Sequence, residues 1–167
     1  MQPQELAAFI DHSVLRPESR IQDVDRACED ALFYRFRGVV VTSSAVTHAR
    51  RRLMDSGIKV VSVVGFPHGT EAPDIKAHEA MRACGMGADE IDYVISIGAA
   101  IDGDMKFLTE EAVNNTEAAL MAAAGEALGN YEEAKEAVRK EIVSDLIKTA
   151  RFDEPMQITD DSIRVFG

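Results

Sequence analysis

The fold is decided by the stretch at residues 58–64, which reads IKVVSVV. Its length and its β-branched residues are typical of a buried strand, and Gly57 in front of it suits the end of a preceding helix. Three further stretches have strand character: residues 9–12 (FIDH), 38–42 (GVVVT) and 90–97 (EIDYVISI). Helical spacing of apolar residues occupies the intervals between them, at residues 21–33, 45–55 and 74–84. Strands that alternate with helices predict βα units around a parallel sheet.

The pattern changes after Gly103, where the strand signals stop. Thr109 is predicted to be the N-cap of an alanine-rich helix that runs to about Leu128, because carboxylates follow it in the first turn. Asn130 indicates the restart of a further helix. We therefore expect a single domain over residues 1–167, with βα units over residues 1–104 and a mostly helical part over residues 105–167.

Composition and charge narrow the class of protein. The chain has 167 residues, of which 46% are hydrophobic and 28% are charged, as expected for one globular domain. It carries 18 Lys and Arg residues against 29 Asp and Glu residues, which gives a net charge of −11. The short basic run from Arg50 to Arg52 is interpreted as an exposed helix face, so no nucleic acid partner is predicted.

The same features bear on location. The apolar runs are far shorter than a bilayer requires, so no membrane partner is predicted. The first residues, MQPQE, lack the basic and apolar regions of a signal peptide. Cys28 and Cys84 form no CxxC motif, which indicates buried thiols in a reducing compartment. We expect a cytoplasmic protein.

Three stretches carry a resemblance to a known family. They lie at residues 10–17 (IDHSVLRP), at 64–69 (VGFPHG) with 75–80 (IKAHEA), and at 87–99 (GADEIDYVISIGA). In order and spacing they resemble the deoxyribose-phosphate aldolases across residues 8–104. That family is built on a (β/α)₈ barrel. The resemblance therefore implies an α/β fold, a partial TIM (β/α)₈-type barrel with four to five parallel strands and a helical C-terminal region.

The resemblance also implies a reaction. The family cleaves 2-deoxy-D-ribose 5-phosphate reversibly to acetaldehyde and glyceraldehyde 3-phosphate through a lysine Schiff base, without a metal or an organic cofactor. The implied partner is a small-molecule aldehyde or sugar phosphate. The resemblance makes Asp92 a catalytic strand-end aspartate that relays protons through water. It makes Asp11 and Ser13 a polar pair that lines the active site, with Ser13 binding substrate.

Each of these assignments has an ordinary structural alternative. Alternation along a strand places Asp92 on the same face as Glu90 and Val94, but a capping or ion-paired carboxylate would fit the same pattern. Asp11 and Ser13 could equally form local hydrogen bonds in a turn.

The Schiff-base lysine is matched by Lys148, with Thr149 beside it as a substrate-binding residue. The surrounding residues 145–152 read DLIKTARF, and no glycine follows Thr149 to open a phosphate-binding nest. A helix that runs straight through residues 141–149 would hold Lys148 away from a barrel mouth. We therefore expect that Lys148 is not a competent Schiff-base lysine in this chain alone. A surface lysine near a helix C-terminus is the alternative.

The length of the chain leads to a last expectation. A (β/α)₈ barrel typically needs about 250 residues, and four or five parallel strands would leave unpaired edges and exposed inner-face residues such as alternate members of 39–42 and 60–64. We expect a homo-oligomer or a complementing chain to cover them. The rival to catalysis is a non-catalytic, aldolase-like remnant that acts as a structural or assembly partner.

Overall fold

The structure, a computed structural model, describes residues 3–124, and the elements below belong to this part of the chain. Four strands form its sheet: β1 (Asp11–Val14), β2 (Gly38–Val41), β3 (Lys59–Val64) and β4 (Glu90–Tyr93). Six α-helices accompany them: α1 (Pro3–Ala7), α2 (Ile21–Tyr34), α3 (Val46–Arg52), α4 (Pro73–Gly85), α5 (Ile97–Ile101) and α6 (Met105–Ala124). A short 3₁₀ turn, Ser43–Ala45, precedes α3.

The strands form one parallel sheet in the order β1-β2-β3-β4. Each strand pairs with the next strand along the chain, and α2, α3 and α4 make the crossovers between them. This sequential βα order is the order in which a TIM barrel is built. The predicted α/β class, a partial barrel of the TIM type, is confirmed, and the described residues contain four of the four to five expected strands.

Alternate residues of the sheet face two different environments. On one face, Val39, Val41 and Val60 are fully buried and pack against Cys28 of α2, against α3 and against Leu53, the residue that follows α3. This helix side is the larger core. It stabilises the fold because each fully buried aliphatic side chain contributes about 1.5–3 kcal/mol.

The opposite face, which we call the inner face, consists of the residues that alternate with these along each strand. Its apolar members are Val40, Val61 and Val63, with Leu15 packed against them. These valines were expected to be exposed, and that expectation is wrong, since Val61 is only 1% exposed in the single chain. The sheet is concave, so neighbouring side chains on its inner face shield one another from water.

The C-terminal part of the described chain differs from the prediction in two places. The strand predicted over residues 90–97 ends at Tyr93, and Ile97 begins α5. The long helix begins at Met105, one turn before Thr109, because the carboxylate of Asp104 accepts a hydrogen bond from the Phe107 amide at 3.0 Å and caps it. Thr109 is not the N-cap; its hydroxyl donates to the Met105 carbonyl.

The helix α6 packs along α4. The predicted helix restart at Asn130 lies outside the described residues, and the division at residue 104 stays a prediction. No helix within residues 3–124 is both long and apolar enough to cross a membrane.

Candidate functional site

The structure brings three of the five predicted site residues onto the inner face. Asp11 is the first residue of β1 and Ser13 the third, and the register places both beside the inner-face residues Gly38 and Val40. Asp92 is the third residue of β4, opposite Val63. The other two, Lys148 and Thr149, lie outside the described residues, so their roles stay predictions.

Asp11 is part of an ion-pair bridge that the sequence did not predict. Arg37, just before β2, donates from Nη1 to Asp11 Oδ2 at 2.5 Å and from Nη2 to Glu90 Oε2. Asp11 begins one edge strand of the sheet and Glu90 begins the other. One guanidinium can reach both only because the sheet curves strongly. The proposed turn role of Asp11 is therefore not seen; its carboxylate is held by Arg37.

The carboxyl group of Asp92 has an altered protonation equilibrium. Burial raises the pKa of Asp92 above its ordinary value, and the carboxylates of Asp11 and Glu90 raise it further, whereas Arg37 lowers it. Within residues 3–124 its side chain makes no hydrogen bond and no ion pair. A carboxyl group that is held near like charges and left without a partner is suited to take up and release a proton.

Ser13 belongs to the lining of a shallow cleft of about 290 Å³. The cleft follows the end of β1 and is lined by Ser13 to Arg16, Glu18, Ser19 and Asp23. The Ser13 hydroxyl has no hydrogen bond to any residue from 3 to 124, so the local turn contact that was its alternative is not formed. It remains available to a ligand.

The most deeply buried charges of the described chain are Lys76 on α4 and Glu111 on α6. Both side chains are 0% exposed, and Lys76 Nζ lies 2.8 Å from Glu111 Oε1. The ammonium also donates to the carbonyls of Gly69 at 2.7 Å and Val94 at 2.9 Å. These three acceptors match the three protons of a lysine, so the amine has no capacity left for a further partner.

The second oxygen of Glu111 completes this arrangement. Glu111 Oε2 accepts a hydrogen bond from the Ser96 amide at 3.0 Å. The ion pair therefore holds a carbonyl and an amide on either side of Ile95, directly after β4. The sequence did carry a signal for the burial of Lys76, because Lys76, Ala80 and Ala83 form the buried stripe of α4 at spacings of four and three.

A second acid of α4 fixes the neighbouring loops. Glu79 accepts hydrogen bonds from the Gly65 amide at 3.0 Å and from the Ser43 hydroxyl at 2.9 Å. Gly65 follows β3, and Ser43 follows β2. Lys76 and Glu79 lie three residues apart on one side of α4, so this helix fixes the segments that follow three consecutive strands. Active sites of barrel enzymes are built from these segments.

Parallel βα units with acidic side chains on a concave inner face define a barrel protein of the TIM type, and comparisons with known proteins show which family the chain is similar to. No protein-family model matches the chain. It is 42% identical over 107 residues to the deoxyribose-phosphate aldolase of Thermus thermophilus, covering 64% of this chain and 49% of that protein. It is 41% identical over 114 residues to the deoxyribose-phosphate aldolase of Caldicellulosiruptor saccharolyticus, covering 68% and 52%.

Solved structures agree with these relatives. The chain matches the tetrameric deoxyribose-phosphate aldolase of Aeropyrum pernix with a TM-score of 0.66 and 27% identity, covering 73% of this chain and 50% of that one. It matches a protein assigned as a deoxyribose-phosphate aldolase from Coccidioides immitis with a TM-score of 0.69 and 26% identity, covering 83% and 57%. The resemblance to the deoxyribose-phosphate aldolase family is confirmed, and the chain spans about half the length of the curated relatives it matches.

Proposed function

We propose that the described residues form part of the active site of a class I aldolase that acts on 2-deoxy-D-ribose 5-phosphate. In this site Asp92 relays a proton while a lysine Schiff base breaks or forms the carbon–carbon bond. The observation that carries the proposal is the unpartnered Asp92 carboxyl on the inner face, whose pKa is raised by burial and by Asp11 and Glu90. The names of the relatives support the substrate class, and the site residues Asp11 and Ser13 lie on the same face.

The reaction also needs an uncharged amine as nucleophile. Residues 3–124 contain three lysines, and none of them fits this role. Lys76 is fully buried and donates all of its protons. Lys59 is the first residue of β3, at the end of the strands away from the loops, and Lys106 lies exposed on α6. We assign the nucleophile of the proposed reaction to Lys148, the lysine that the resemblance matches, with Thr149 at the substrate, or to a lysine of a second chain.

The lack of a suitable nucleophilic lysine among residues 3–124 also favours a second candidate function. If Lys148 is not competent in this chain alone, the protein is a non-catalytic, aldolase-like structural or assembly partner. A homo-oligomer or a complementing chain belongs to both candidates, and the tetrameric aldolase of similar fold supports it. A cytoplasmic location and chemistry without a metal or an organic cofactor are part of the same proposal.

Borohydride trapping distinguishes the two functions. The purified protein is incubated with acetaldehyde and borohydride, and its intact mass is measured with peptide mapping of any ethylated lysine. The aldolase proposal predicts one ethyl group on one lysine, which is lost in Lys148→Ala and retained in Lys106→Ala, the matched exposed control. Random low-level labelling that Lys148→Ala does not change would refute catalysis by this chain and favour the assembly partner.

A further inference from the structure

The buried ion pair of Lys76 and Glu111 contacts the segment next to Asp92 without touching Asp92 itself. Lys76 donates to the Val94 carbonyl, and Glu111 accepts from the Ser96 amide. Residue 94 is two positions after Asp92, at the point where β4 ends. Backbone groups on both sides of Ile95 are thus fixed by charged side chains from two helices.

The segment after β4 also lies in close contact with the loop that follows β3. A Cβ atom built on Gly69 would lie 2.1 Å from the Ile95 carbonyl oxygen, so only a glycine permits this approach. Lys76 also donates to the Gly69 carbonyl at 2.7 Å. The two loops therefore share one ammonium, and neither can move without disturbing the other.

A buried ion pair is a costly way to hold two helices together. Apolar side chains of similar volume would join α4 and α6 at equal or lower cost in free energy. They would not, however, bind a carbonyl and an amide at fixed positions. The ion pair supplies hydrogen bonds to the backbone of residues 69, 94 and 96, which an apolar pair could not form.

We propose that Lys76 and Glu111 are positioning residues, which fix the course of the chain after β4 so that the Asp92 carboxyl is held over the inner face beside Asp11 and Glu90. This role rests on the proposed function insofar as Asp92 is the proton relay. It does not require that the chain be active by itself, because the position of Asp92 can be measured without turnover.

The test uses Ser96, because its amide can be removed without changing any charge. Ser96 has a φ of −65°, the value that proline adopts, and its side chain makes no capping hydrogen bond. Ser96→Pro removes the donor to Glu111, whereas Ser96→Ala keeps the amide and loses only the hydroxyl. The two variants form a matched pair that differs in the proposed contact.

The readout is the pH titration of the Asp92 side-chain carboxyl carbon, followed by NMR in the full chain and assigned by its loss in Asp92→Asn. If the contact positions Asp92, Ser96→Pro lets the carboxyl move towards solvent and away from Asp11 and Glu90. Its pKa then falls towards the ordinary aspartate value, while Ser96→Ala titrates as the native protein does. Equal titration curves in both variants would overturn the proposal.

A second pair of variants keeps the test decisive if Ser96→Pro does not fold. Lys76→Met with Glu111→Leu removes one positive and one negative charge together and preserves the packing of α4 on α6. The pKa of Asp92 falls in this double variant and stays at its native value in Leu53→Ala, which weakens the distant helix-side core. If the double variant titrates as the native protein does, the ion pair contributes to stability alone.

The outcome is separable from that of the trapping experiment. A shift of the Asp92 titration without specific lysine trapping would keep the positioning role and reject the aldolase activity of this chain. Specific lysine trapping without a shift of the Asp92 titration would support the aldolase activity of this chain and reject the positioning role of Lys76 and Glu111.

Discussion

Single side chains of the inner face carry more negative than positive charge. Asp11, Glu90 and Asp92 face one guanidinium, that of Arg37, which pairs with the first two. Asp92 is left with the repulsion of its neighbours and without a cation of its own among residues 3–124. Ionisation of Asp92 is therefore less favourable in the native state than in the unfolded chain, which has consequences for stability as well as for proton transfer.

Asp92→Asn is expected to stabilise the fold at neutral pH. Because burial, Asp11 and Glu90 raise the pKa of Asp92, the native state binds its proton more tightly than the unfolded chain does. The contribution of Asp92 to the free energy of unfolding therefore falls as the pH rises from the ordinary aspartate pKa through the raised one. Asparagine removes this loss. Since the side chain is exposed and screened by solvent, the gain is at most about 1 kcal/mol.

Urea unfolding of Asp92→Asn and the native protein at about pH 7 and about pH 3 measures this effect. The gain is present at the higher pH and absent at the lower one, where both side chains are uncharged. A variant that is less stable than the native protein at neutral pH would show that Asp92 has a stabilising partner.

Arg37→Met is expected to raise the pKa of Asp92 further. Arg37 lowers that pKa in the native protein, and its removal also leaves the carboxylates of Asp11 and Glu90 uncompensated. The carboxyl titration of Asp92 by NMR records the change. Arg26→Met is the matched control, because Arg26 forms its ion pair with Asp23, three residues away on the exposed side of α2. A pKa that falls or stays the same in Arg37→Met would contradict the assigned geometry.

The sequence predicted the residues of the inner face better than their partners. The resemblance matched Asp11 and Ser13 to a polar pair that lines the active site, and alternation along the strand placed Asp92 on one face with Glu90. The bridge through Arg37 could not be predicted, because its partners lie 26 and 53 positions away along the chain. Lys76 was missed for a different reason. A lysine on a helix is ordinarily read as exposed, and its place in the buried stripe with Ala80 and Ala83 was the overlooked signal.

Among the elements, α4 and α6 are joined by a contact whose two halves depend on each other. Lys76→Met alone leaves Glu111 as a buried, unpaired carboxylate and is expected to cost about 3–5 kcal/mol of unfolding free energy. The double variant, which adds Glu111→Leu, should recover most of this loss because no charge is then buried alone. Urea unfolding of both variants measures the difference. A double variant less stable than the single one would show that the pair is not coupled.

The contact between the loops after β3 and β4 gives a prediction for glycine. Gly69 has a φ of +64°, and a Cβ atom there would overlap the Ile95 carbonyl. Gly69→Ala is expected to cost at least about 2 kcal/mol. Gly85→Ala is the control, because Gly85 ends α4 with nothing near its missing Cβ, and alanine there should be neutral or stabilising. Thermal unfolding compares them, and equal melting temperatures would argue against the close loop contact.

The boundaries of two elements could not be predicted for reasons that the structure makes plain. The apolar alternation of residues 90–97 suits a strand, but Lys76 and Glu111 take the carbonyl of residue 94 and the amide of residue 96. These groups are then unavailable to a strand ladder, and β4 ends at Tyr93. The strands at 38–41 and 59–64 were predicted closely, because their buried β-branched residues pair with a neighbouring strand on each side.

For the whole molecule, the oligomer remains a prediction, but a different exposed surface now supports it. Exposed inner-face valines no longer support it, since Val40, Val61 and Val63 are buried in the single chain. Adjacent exposed aromatic rings support it instead: Phe33 is 79% exposed, Tyr34 is 54% exposed, and their ring centroids lie 4.8 Å apart. Large apolar surface of this kind is typical of contact surfaces between proteins.

Light scattering coupled to size exclusion, at several concentrations of the purified protein, measures the oligomeric state. We expect a mass that is a multiple of the 18.2 kDa of the chain. A stable, folded monomer across the whole concentration range would show that the chain covers its own apolar surface. The exposed aromatic residues would then have no part in assembly.

The bridge from Asp11 through Arg37 to Glu90 also limits how far the sheet can flatten. It joins the first residues of the two edge strands of the described sheet, so a flatter sheet would have to break one of the two ion pairs. The curvature that brings Asp11, Glu90 and Asp92 together is therefore locked by charge at the end where the strands begin.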